Sequence, residues 1–212
     1  MNKAGSILSA SVALAIMLCI HYGYGESIKP FSEAHAASAT VTPMEGKALI
    51  VFVRALSSDA TSVDYRRSPV FRLKGSELEP EAIGMLSAKT KLAYQVDPGK
   101  HLFMVVGENA DFIAAEVLPN KTYYVLVLAR VGNRAAIYSL KAVDKQAEDT
   151  KDFEELFASS KWIDNAPASL NWAATNMKTI RSTQSEYYRL WAQKPDSERR
   201  RLLPDHGTGG RP

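Results

Sequence analysis

The stretch Tyr94–Gly132, YQVDPGKHLFMVVGENADFIAAEVLPNKTYYVLVLARVG, decides the fold class of this 212-residue chain. Apolar runs of strand length alternate in it with compact polar turns, DPGK, ENAD and PNK. In DPGK, Pro98 presets φ and Gly99 supplies the positive φ that the next turn position favours. The run TKLAYQV before it puts Leu92, Tyr94 and Val96 on one face, the period of a half-buried strand. HLFMVVGE, FIAAEVL and TYYVLVLARVG follow as strands, and GNR turns the last of them into AAIYSLKAV. Turns this short join antiparallel neighbours, because a parallel pair needs a crossover of about a dozen residues or more. MVV and VLVLA are continuously apolar, so the central strands need cover on both faces. The expected fold is mainly β, an antiparallel β-sandwich of about seven to eight strands, or a sheet capped by helices, with a C-terminal α-helical extension.

Working outward toward the N-terminus, KALIVFVRA is a continuous apolar run that opens the folded region. SSDATSVDYRRS reads as a polar loop, PVFRLK as a short strand with Pro69 tolerated at its start, GSELEPE as a second loop and AIGMLS as a weak strand. Toward the C-terminus, DKQAEDTKDFEELF has the composition of a helix, with Phe153, Leu156 and Phe157 at helical spacing. SKWIDNAPAS breaks the pattern, with Pro167 as its stop. The longest helical signal follows, ASLNWAATNMKTIRSTQSEYYRLWAQ, with Ser169 as its expected cap. Leu170, Ala173, Ala174, Met177, Ile180, Tyr187, Tyr188 and Trp191 form its stripe, interrupted by Gln184, and Pro195 ends it. The expected organisation is a signal peptide or anchor over residues 1–25, a flexible tether over 26–45, the β-sandwich over 46–143, the helical extension over 144–203 and a disordered tail over 204–212.

The N-terminus sets the expected compartment. Lys3 precedes an apolar run from Ile7 to Ile20, the pattern of a secretory signal. A spanning helix needs about 20 apolar residues, so an uncleaved anchor is the second reading. Small residues permit cleavage after Gly25 or after Ala36. The lone cysteine, Cys19, is preceded by Met17 and Leu18, which departs from a lipoprotein signal, and it would leave with the leader. A mature chain without cysteine has no thiol nucleophile and suits an oxidising compartment. The expected location is therefore periplasmic, or membrane-anchored through an uncleaved N-terminal segment. A net charge of +3, spread along the chain, does not indicate nucleic acid. The one basic cluster, SERRRLLP, is offset by Asp196, Glu198 and Asp205.

The order GKALIVFVRA, AIGMLSAKTKLAYQVDPGKHLFMVV and AAEVLPNKTYYVLVLA resembles a group of uncharacterised bacterial secreted and lipoprotein β-domains. Those domains carry a "GKA" strand opening, a "PGKH" turn and a late "KTYY" strand, and the turn is also similar to PEGA-type envelope domains. The resemblance covers about Gly46 to Val143. It implies a small β-sandwich in the cell envelope and brings no catalytic residues.

Chemistry-bearing patterns are sparse. His101 sits beside the DPGK turn, and the remaining histidines, His21, His35 and His206, fall in the leader, tether and tail. No zinc-binding spacing and no G-x-S-x-G elbow occurs in the sequence. The carboxylates of AEDTKDFEELF suit a helix start in solvent. No catalytic residue, metal ligand or cofactor site is assigned. Pro98, Gly99 and His101 are read as defining a turn, and Tyr187, Tyr188 and Trp191 as the candidate interaction surface. The expected function is a non-enzymatic envelope module, structural or protein-binding. Its expected partners are another envelope protein or a second copy through the C-terminal helix, near a membrane. The alternative is a periplasmic binding protein for a small apolar or lipid-like ligand between sandwich and helix, in a cavity lined by Phe103, Met104, Met177 or Trp191.

Overall fold

A computed structural model describes residues 32–34, 41–56, 67–133, 135–144 and 150–209. The expected leader and the loop after Leu56 lie outside the described residues. ALIVFVR forms strand β2 (Ala48–Arg54), buried along its whole length between β5 (Thr90–Val96), antiparallel to it, and β8 (Lys121–Val131), parallel to it. Beyond β5 lie β10 (Lys161–Asn165), parallel, and β1 (Ser32–Ala34), antiparallel to β10. Beyond β8 lies β9 (Ala136–Ala142), and β12 (Thr208–Gly209) pairs with the start of β8. The second sheet runs β11 (Arg201–Leu202), β7 (Ala110–Val117), β6 (Gly99–Val106), β3 (Ser68–Lys74), β4 (Glu79–Leu86). The chain is thus mainly β, with two sheets and a C-terminal helix. Strand pairing is mixed, because β2–β8, β5–β10 and β7–β11 are parallel.

Alternation along β2 divides its side chains between two clusters. Ala48, Ile50 and Phe52 meet Val70, Phe103, Val105 and Ile113 of the other sheet, with the rings of Phe52 and Phe103 edge to face at 5.5 Å. Leu49, Val51 and Val53 point the other way, against Phe153, Leu156 and Phe157 of helix α1 (Thr150–Ser159). On the second sheet, Phe71, Leu73, Met104 and Phe112 turn their backs on the shared cluster and meet helix α2 (Pro167–Ala192). Each continuous apolar run therefore has a partner on both faces, as its composition demands.

Two of the four tight turns differ from the expected meander. ENAD joins β6 to β7 and GNR joins β8 to β9 as antiparallel hairpins. DPGK and PNK instead carry the chain from one sheet to the other: β5 and β8 lie in the first sheet, β6 and β7 in the second. At DPGK, Gly99 adopts φ +121°, a conformation an L side chain resists. At PNK, Asn120 adopts φ +58°, and its side chain accepts from the Gly46 N–H while its own N–H donates to the Lys47 carbonyl. That pair of bonds ties the turn to the entry of β2.

Several segments read as irregular are part of the sheets. SKWIDN contributes β10, EPE begins β4, and residues 32–34 of the expected tether pair with β10. The expected disordered tail is packed as far as Gly209. Pro204–His206 forms a single 3₁₀ turn, Thr208–Gly209 pairs with β8, and the Tyr123 hydroxyl donates to the Pro204 carbonyl while accepting from the Leu118 N–H. Gly207 lies against the Tyr123 ring, where an added Cβ would stand 2.6 Å from ring carbon. Glycine at 207 is what lets the strap lie flat.

The edge of β9 is closed by side chains. The Asn109 amide accepts from the Tyr138 N–H and donates to the Tyr138 carbonyl, both at 2.9 Å. One residue pair along, Asp111 Oδ2 accepts from the Leu140 N–H at 2.8 Å, and Arg200 Nη1 donates to the Leu140 carbonyl at 2.7 Å. Arg200 Nη1 also donates to Asp111 at 2.8 Å, which locks the set. Side chains from the second sheet thereby stand in for a missing strand, and the exposed ladder that invites edge-to-edge association is covered.

Candidate functional site

Helix α2 is the element on which the expected interaction residues sit. Pro167 is its first residue rather than the stop of the preceding segment, a position where the missing N–H costs nothing. Ser169, expected as its cap, lies inside the first turn and is buried, and Ala166 occupies the cap position without a side-chain bond. The buried stripe is Ser169, Ala173, Ile180, Gln184 and Trp191. Leu170 and Ala174, expected on it, face solvent. The stripe is rotated from the apolar reading because Gln184 belongs to it.

Gln184 Nε2 donates to the Leu78 carbonyl at 2.8 Å, in the β3–β4 turn where Leu78 adopts φ +53°. Arg181 adds an ion pair with Glu79 on the same turn. Further along, Tyr188 and Trp191 meet the Phe112 ring of β7 at 5.6 and 5.8 Å, and they stack on one another at 5.7 Å. Tyr187 is half-buried against the same cluster. These aromatic side chains therefore seat the helix on its own sheet. Arg199 completes the seat: its guanidinium lies 5.2 Å from the Trp191 ring and donates to the Ala192 and Lys194 carbonyls at the helix C-terminus.

Two cavities flank α2. On one side a groove of about 1000 Å³ opens between the helix and the β3–β4 turn, lined by Glu77, Leu78, Arg181, Ser185, Glu186 and Arg189 among others. On the other side a pocket of about 270 Å³ is walled by Pro69, Val106, Ala136, Tyr138, Trp172 and Ile180. None of Phe103, Met104, Met177 and Trp191 lines either cavity, and Phe103 and Met104 are fully buried.

Pro98, Gly99 and His101 lie together at the β5–β6 corner. His101 Nε2 lies 2.7 Å from the Asp97 carbonyl, so the ring spans the turn. Burial pushes the imidazole pKa down, against the pull of that carbonyl. Asp97 is paired with Lys47, which lowers its carboxyl pKa. Lys91 is a further buried cation, 5 % exposed, with Nζ donating to the Phe157 carbonyl at 2.6 Å and lying 3.9 Å from the Phe157 ring centre. Burial lowers its pKa, and its place at the C-terminal turn of α1 lets the helix carbonyls hold the charge. Among the described residues, no group of three or more His, Cys, Asp or Glu side chains is placed to hold a metal ion.

The residues missed by sequence reading are polar ones that act as fasteners: Gln184, Asn109, Asp111, Arg199 and Arg200. Only Gln184 left a signal, a polar residue at an apolar position of a periodic stripe. Comparison with known proteins adds no relative: no family model matches the chain, and no curated protein or solved structure matches it.

Proposed function

We propose that this chain is a non-enzymatic, exported envelope protein that works as a structural or protein-interaction module. In this reading the two sheets act as a sandwich, stiffened on both outer faces by helices, and α2 presents a docking face rather than an active site. The observation that carries it is the groove beside α2, lined by charges of both signs and braced by the Gln184 and Arg181 contacts to the β3–β4 turn. Mixed charge on a rigid rim suits recognition of a protein surface, where electrostatic complementarity fixes register. The leader pattern and the short motifs shared with envelope β-domains support export. The aromatic stripe is used in cis, so self-association would employ the solvent face of α2, where Leu170 and Leu190 are about half exposed. Among the described residues no helix is long and apolar enough to cross a membrane.

The test is photo-crosslinking in intact cells from a benzoylphenylalanine placed at Ser185 in the groove, compared with one at Lys151 on α1. A discrete adduct from Ser185 alone supports the reading. Equal, diffuse adducts from both positions would remove the groove from consideration.

The pocket walled by Trp172 and Ile180 favours a second reading, a binding protein for a small apolar ligand held between the sheets and α2. Native mass spectrometry of the protein released from cell envelopes decides between them. A retained small molecule that is lost in Ile180→Trp, which fills the pocket, selects the second reading.

A further inference from the structure

Trp172, Asn176, Thr179 and Thr183 recur every three or four residues along α2, and together they form one wall of the 270 Å³ pocket. Their side chains are less committed to the fold than their neighbours'. Trp162 meets the Phe157 ring and Trp191 the rings of Phe112 and Tyr188, whereas Trp172 has no ring or cation contact among the described residues. Thr175, which does not line the pocket, donates back to the Asn171 carbonyl at 2.9 Å, a common bond for a helical threonine. Thr179 and Thr183 make no hydrogen bond among the described residues. Asn176 is the fixed member of the wall. Its Nδ2 donates to the Trp172 carbonyl at 2.8 Å, which orients the amide and leaves Oδ1 as an acceptor.

The rest of the lining is mostly apolar. Ile180 lies between the polar positions of the helix, and Val106 and Pro69 come from the second sheet. Tyr138 contributes its ring, since its hydroxyl already donates to the Arg67 carbonyl at 2.7 Å. Arg67 is the one charged residue among those that line the pocket, and it has a partner within the protein. The pocket thus combines an apolar floor and an uncommitted indole with two hydroxyls and an oriented amide oxygen.

These features restrict the ligand. An ion would be taken from water without a counter-charge to receive it, which is costly. A plain hydrocarbon would strip water from the hydroxyls and the amide oxygen and give no bond in return. A volume just below the usual range of about 300–1000 Å³ suits a single ring rather than a long chain. A pyranose ring answers each condition. Its C–H groups stack on the indole, whose face carries partial negative charge, and its hydroxyls leave the ring edge toward donors and acceptors.

We propose that this pocket binds a single neutral pyranose ring, with Trp172 as the stacking platform and Asn176, Thr179 and Thr183 as the groups that hold its hydroxyls. The proposal rests on the second reading above for the occupancy of this pocket, and it narrows the occupant from an apolar ligand to an amphipathic ring. The groove beside α2 shares no residue with the pocket.

The experiment uses saturation-transfer difference NMR on the full chain with three probes: methyl β-glucopyranoside, methyl β-galactopyranoside and methyl N-acetyl-β-glucosaminide. A fourth probe, the neutral apolar dye N-phenyl-1-naphthylamine, is followed by fluorescence. The expected result is saturation of the ring C–H protons of at least one glycoside. Thr179→Val with Thr183→Val keeps the shape of both side chains and should weaken that binding about tenfold, as loss of two hydrogen bonds implies. Trp172→Ala should abolish it and Trp172→Tyr should retain it, while Thr175→Val, whose hydroxyl is spent within the helix, should leave it unchanged. Absence of saturation with all three glycosides, or equal weakening in the Thr179/Thr183 and Thr175 variants, overturns the proposal. In that event, dye binding that is lost in Ile180→Trp leaves the apolar-ligand reading standing, and no dye binding removes both.

Discussion

Asn109→Ala tests the claim that side chains replace a strand along β9. The substitution removes two bonds, from the Tyr138 N–H and to the Tyr138 carbonyl, each 2.9 Å long. A hydrogen bond of this kind contributes about 0.5–1.5 kcal/mol net, so the pair is worth about 1–3 kcal/mol. For a domain of this size that lowers Tm by about 2–12 °C. The neighbouring set at Leu140, held by Asp111 and Arg200, is untouched, so the edge should open locally rather than unfold. Three measurements bear on it. Urea unfolding should show a lower midpoint with an unchanged slope, the sign of lost stability without a changed unfolded state. Hydrogen exchange should show the Tyr138 amide losing protection while the Val127 amide, in the middle of β8, keeps its protection relative to the global stability. Light scattering at high protein concentration should reveal weak association, since an uncovered edge is a template for pairing. A stability change under about 0.5 kcal/mol, the scale of an ordinary surface substitution, with Tyr138 exchange unaltered would refute the reasoning. The Asn109 amide would then be a surface decoration.

Four further outcomes follow from the packing and titration of named groups. Trp191→Ala should destabilise the chain by about 3–5 kcal/mol, and Trp191→Phe by clearly less, because the indole N–H is buried without a partner and phenylalanine removes it; chemical denaturation of both variants checks this, and equal, small effects would place the side chain outside the core. Gly207→Ala forces a methyl group into the Tyr123 ring and should cost about 1–3 kcal/mol, with a changed near-ultraviolet circular dichroism signal from the tyrosines. Stability should fall as pH drops through the ordinary histidine value of about 6.5, because the unfolded chain takes up a proton that half-buried His101, with its lowered pKa, resists, and the loss levels off once pH passes below the folded value. His101→Gln should flatten that segment of the stability–pH curve. Glu81 acts at lower pH: burial alone would raise its pKa, but the bonds from Lys74 and Tyr94 hold it below the usual carboxylate range, so its contribution is lost only as pH falls through that lowered value.

What the sequence determined by itself is the inventory. Period-two alternation and unbroken apolar runs mark β2 and β5 to β9, because side-chain direction along a strand is a local property. The same logic marks α1 and α2, and the positive φ at Gly99 follows from residue type alone. What only the tertiary structure decided is the pairing. A two- or three-residue turn looks the same whether it closes a hairpin, as ENAD does, or turns a corner between sheets, as DPGK does. The choice depends on which strands already occupy the neighbouring edge. β2 and β8 lie far apart in sequence, so their parallel pairing leaves no local trace. The fasteners share that fate: Asn109, Asp111 and Arg200 are unremarkable polar residues until β9 arrives beside them with backbone groups that need partners. The arginine triplet makes the same point: its charge was legible in the sequence, but that Arg199 holds the helix C-terminus and Arg200 the β9 edge is set by what lies next to each in space.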